Sequence, residues 1–166
     1  MRAGDWAAAQ QAFKDAWPVS HGDLDPVRRV WLLVRIALAS VRLGDFEEGF
    51  EACAGAQQGY AHSSGIIAGN PLFHLVAGLA AHHLGEREIA DDNLARTLIC
   101  GGPKMFHGED PALLARMRTI LRPPAELGTW DGYEGVGLDH LDTTDGYLRE
   151  LITERLGSPP PYPPPG

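Results

Sequence analysis

Apolar residues recur along this chain at helical spacing, in segments separated by Gly, Pro and Asx punctuation, and the two-residue alternation of strands is nearly absent. The segment 69–98 reads most completely. Phe73, Ala77, Ala80, Ala81 and Leu84 fall on one face of a 3.6-residue period, Asn70 offers an N-cap, and Pro71 suits the first helical position. Gly85 supplies the stop. Ile89, Ala90, Leu94 and Leu98 then form the apolar face of a second helix, and Gly78 and Ala90 are small enough to let the two backbones come close. The pattern predicts a helical hairpin.

The same reading predicts helices over 5–17, 27–43, 46–58 and 111–121, with loops at 18–24 and 59–69. Helix 27–43 leaves little polar face, which implies cover on both sides. Pro123-Pro124 ends the series. Segment 128–141, Gly- and Asp-rich with Trp130 and Tyr133, reads as an ordered loop. Tyr147, Leu148, Leu151, Ile152 and Leu156 return at helical spacing, and the stretch from Ser158 reads as a polyproline tail. The expected organisation is a repeat domain over 1–122, a loop and helix over 123–157 packing on it, and a flexible Pro-rich tail over 158–166.

Two signals repeat independently. Gly4-Asp5-Trp6, Gly44-Asp45-Phe46 and Gly85-Glu86-Arg87 each open a second helix, 40 and then 41 residues apart. An Asx-Pro helix start occurs at Asp25-Pro26, Asn70-Pro71 and Asp110-Pro111. Helix 5–17 is then the second half of a pair whose first half is missing. Its Trp6, Ala9, Phe13 and Ala16 need cover from the 147–156 helix, from another chain, or from residues upstream of Met1.

Ala37, Gly44, Asp45, Phe46 and Gly49 resemble the tetratricopeptide repeat, which carries a small residue in its first helix, a Gly-Asp-aromatic turn, and a small residue in its second. The third unit keeps Gly78, Gly85 and Ala90 but places Arg87 where the aromatic belongs. Both periods exceed the ordinary repeat of about 34 residues, and the loops absorb the excess. The stretches GNPLFHLVAGLAAHHLGEREIADDNLARTL and GGPKMFHGEDPALLARM are also similar to a group of small bacterial tetratricopeptide-like proteins. The resemblance covers about residues 4–121 and implies an all-α, right-handed superhelix of hairpins. It further implies a concave partner-binding face formed by Trp31, Leu38, Arg42, Leu75, Leu79, His82 and His83, an apolar centre with a basic rim. Cover of that face by the C-terminal segment would use the same residues, and both readings stand.

Composition narrows the function. A net charge of −8 repels a phosphate backbone, so nucleic acid is not expected and a basic protein surface is. No apolar run approaches the roughly 18 residues of a membrane span, and the first residues lack a signal-peptide core, so a cytoplasmic location without membrane contact is expected. Cys53 and Cys100 sit in apolar helical patterns and read as buried free thiols.

Candidate chemistry is sparse. Adjacent His82 and His83 point about 100° apart on a helix, which suits a solvated C-terminus rather than a metal site. His107, Glu109 and Asp110 would serve a hydrolase, as would Asp139-His140, but Asp110 already caps a helix. Pro159-Pro160-Pro161-Tyr162 fits a WW-domain ligand by composition alone. The expectation is a non-enzymatic module, monomeric or weakly dimeric, with no cofactor and no metal. It binds a protein or peptide, either neutralising a toxin as an immunity protein or holding a secreted effector as its chaperone or adaptor.

Overall fold

The computed structural model describes residues 3–20, 26–58, 67 and 69–135. Its elements are α1 (Ala3–Ser20), α2 (Pro26–Leu43), α3 (Phe46–Gln58), α4 (Pro71–Leu84), α5 (Arg87–Gly101), a 3₁₀ turn (Pro103–Phe106) and α6 (Pro111–Ile120). Among the described residues there is no strand, and no helix is long and apolar enough to cross a membrane. The expected cap at Asp25, most of the 59–69 loop, the Asp139-His140 pair, helix 147–156 and the Pro-rich tail lie outside the described residues.

Local chemistry sets the boundaries. The Asn70 side chain accepts from the backbone N–H groups of Leu72 and Phe73, and Asp110 accepts from Ala112, so both Asx-Pro starts that can be followed are working caps. The α2–α3 and α4–α5 turns close alike. Gly44 and Gly85 have φ of +84° and +82°, and the next residue donates back five positions, Asp45 to Ser40 and Glu86 to Ala81, each at 2.9 Å. One boundary differs from the sequence pattern. α1 continues through Pro18 to Ser20, because a missing N–H near a helix end removes one ladder bond without terminating the turn.

Packing is sequential. α2 packs against α1, α3 and α4, and α4 packs against α2, α3, α5 and the 3₁₀ turn. Every residue of α4 from Pro71 to Ala81 is buried, including His74, whose Nδ1 lies 2.9 Å from Asn93 Oδ1. Where α4 meets α5, a Cβ at Gly78 would stand 2.8 Å from Leu94 Cγ, so only glycine permits this approach. The core extends beyond the predicted helices. Ile67, Met105, Phe106 and Trp130 are buried in it, and Tyr133 packs on it and donates from its hydroxyl to the Ile99 carbonyl at 2.6 Å.

Candidate functional site

Of the seven residues expected to line a concave face, four lie in or against the core. Trp31, Leu75 and Leu79 are 2%, 0% and 5% exposed and belong to the core, and Leu38 is half-buried against it. α2 and α4 pack directly on each other, and the 3₁₀ turn packs on α4.

Arg42, expected on a basic rim, is bound internally. Its guanidinium donates to both carboxylate oxygens of Glu109, at 3.1 and 2.6 Å, and the Glu109 side chain is only 6% exposed. His82 and His83 are exposed at the end of α4. The His83 ring stacks on Phe46 with centroids 3.9 Å apart, joining the two hairpin turns. Burial, then the charge of His82, holds the His83 imidazole below its usual range.

The His107, Glu109 and Asp110 cluster is dispersed among structural tasks. Glu109 grips Arg42, Asp110 caps α6, and His107 is an exposed residue ending the 3₁₀ turn. Cys53 is buried, and its apolar surroundings push the thiol up to about 12, far from a nucleophile's range. Cys100 is half-buried rather than buried and is also raised, chiefly by burial. Among the described residues, no three His, Cys, Asp or Glu side chains gather closely enough to hold a metal.

Among the described residues, a pair of open grooves lies on the two sides of α3. The first, about 360 Å³, lies between α1 and α3 with Leu33 and Ile36 of α2 as its floor and Lys14, Trp17, Glu48 and Glu51 on its walls. The second, about 440 Å³, lies between α3 and α5 over Phe73 and Ala77 of α4, walled by Phe50, Cys53, Ile89 and Asp92. Their lining residues correspond at the spacing of the turns. Lys14 and Trp17 of one groove stand 40 positions before Ala54 and Gln57 of the other, and Ile36, Glu51 and Ala52 stand 41 before Ala77, Asp92 and Asn93.

The side-chain networks beside the two grooves differ for a local reason. Beside the first, Glu48 accepts from Gln10 at 2.7 Å and pairs with Lys14 at 2.6 Å, while buried Ser40 accepts from Gln10 and donates to the Ile36 carbonyl. In the second, the positions 41 later are Ala81 and Ile89, which cannot continue that network, and Ile89 is 42% exposed. The sequence held a signal for these grooves. The 40- and 41-residue offsets, carried from the turns to the outward sides of the second helices, align their walls. The chain matches no known protein family, no curated protein and no solved structure, so no relative's activity carries over to it.

Proposed function

We propose that this chain is a non-enzymatic protein-recognition module of tetratricopeptide-like hairpins that engages a protein or peptide through the layer formed by α1, α3 and α5. The observation carrying this reading is the pair of corresponding grooves flanking α3, each open to solvent and floored by apolar side chains of the inner helices. Grooves with apolar floors and polar walls suit helix or peptide capture. The burial of Trp31, Leu75 and Leu79 favours this layer over the face expected around them. Occlusion of a toxin domain, as an immunity protein, is the role we put first, with chaperoning of a secreted effector as the alternative; both rest on analogy of fold.

Selection from a random peptide library displayed on phage, with the full chain immobilised, tests the reading. Enriched peptides that bind saturably in solution, with Kd below about 100 μM, are the expected result. A library that yields no saturable binder would overturn it.

A further inference from the structure

Accepting that the chain recognises protein, we infer that its two grooves together take one basic amphipathic helix lying across α3, with apolar anchors seven residues apart. Charge sets the class of partner. α3, the wall common to both grooves, carries Glu47, Glu48 and Glu51 and no basic residue. Across the second groove stand Glu88 and Asp92 of α5, and the whole chain carries a net charge of −8. Glu51 and Asp92 are exposed and occupy corresponding positions, one at each groove. Glu48 already pairs with Lys14 and Asp92 with Arg96, both in partly exposed pairs, so the carboxylates a partner meets first are Glu51 at the first groove and Glu88 beside the Asp92–Arg96 pair at the second. Complementary lysines or arginines flanking each anchor satisfy both.

Spacing sets the partner's form. The grooves are separated by the width of α3, and a helix with its side chains is about 10–12 Å across. Residues seven apart on a helix share a face and are about 10.5 Å apart along its axis, which matches that width. In an extended strand, residues on one side recur at about 6.8 and 13.6 Å, which straddle it. Ile89, already 42% exposed at the second groove, is the apolar contact offered to one of the anchors.

The test uses the full chain and amidated synthetic helices of about 15 residues, with two leucines seven apart in an alanine and lysine background. The lysine peptide should bind saturably. A counterpart with glutamate for lysine, and the lysine peptide measured against E51K/D92K, should each bind about tenfold or more weaker. Leucines four apart, or Ile89→Ser in the protein, should weaken binding by about threefold or more, whereas Arg118→Ala, on α6, should change it by less than about twofold. All three positions substituted on the grooves are exposed, and circular dichroism confirms that the variants keep their helix content.

No binding of the lysine peptide, equal binding of the glutamate peptide, or indifference to E51K/D92K would overturn the inference. So would a photo-crosslinker at Gln57 that captures residues 136–166 of the same chain or a second copy of it. Library peptides that bind elsewhere, or that are acidic, would overturn the inference while leaving the protein-recognition reading in place.

Discussion

Arg42 and Glu109 stand 67 positions apart in the chain, yet one guanidinium holds one carboxylate by two hydrogen bonds and ties the segment before α6 to the end of α2. Because Glu109 is almost wholly enclosed, removing the Arg42 side chain takes two charge-assisted hydrogen bonds from a carboxylate with little access to water. Arg42→Ala is expected to destabilise the protein by about 3 kcal/mol or more in chemical denaturation. The double change R42M/E109L should restore part of that loss, and full additivity of the two single changes would contradict direct coupling.

Trp31 is expected to behave as a core residue. Trp31→Ala opens a cavity in a site 2% exposed and should lower unfolding free energy by about 3–5 kcal/mol. An unchanged melting curve would contradict its burial.

Two glycines inside helices should respond with opposite sign. At Gly55 a Cβ would meet only Leu33 Cδ1 at 3.6 Å, so Gly55→Ala should stabilise by about 0.5–1 kcal/mol through helix propensity. At Gly78 the new atom would collide with the Leu94 side chain at 2.8 Å and approach its backbone nitrogen at 3.2 Å. Gly78→Ala should therefore destabilise by about 1–3 kcal/mol, which urea titration of the pair would read directly.

The His83–Phe46 stack predicts an acid-side loss of stability. Because burial lowers the His83 pKa below 6.5 in the folded chain, the unfolded chain takes up the proton first. The neutral stack is fully effective above the unfolded value and weakens as the pH falls toward the folded one. Melting temperature should fall as the pH drops from neutral through about 6.5 and below, and His83→Gln should reduce that fall. An identical pH profile in the variant would contradict the assignment.

Thiol chemistry should separate the two cysteines. With its pKa raised to about 12 and its side chain enclosed, Cys53 should resist iodoacetamide in the native protein and react once the chain is unfolded. Mass spectrometry of labelled peptides would detect early modification of Cys53, the result that contradicts this.

The fold was legible where its causes are local. Asn70-Pro71, Asp110-Pro111, Gly44 and Gly85 act within a few residues of themselves, and each sits at a helix boundary in the structure. Which side of a helix faces inward was less legible. α2 is apolar nearly all round, so its period does not say whether Trp31 meets another helix or solvent. Met105 and Phe106 lie in a single 3₁₀ turn, too short for any period to register. The Arg42–Glu109 pair and the grooves arise from how separate helices lie against one another, which no stretch of sequence contains by itself.

The enclosure of α4 has a kinetic consequence. With neighbours on all sides from Pro71 to Ala81, its backbone amides have no route to water through fraying or the opening of one adjacent turn. α1, none of whose described side chains is buried, can detach while the remainder stays closed. Hydrogen exchange should accordingly be fastest in α1 and slowest in the middle of α4, where the exchange free energy approaches that of unfolding the whole array and serves as an internal gauge of its stability.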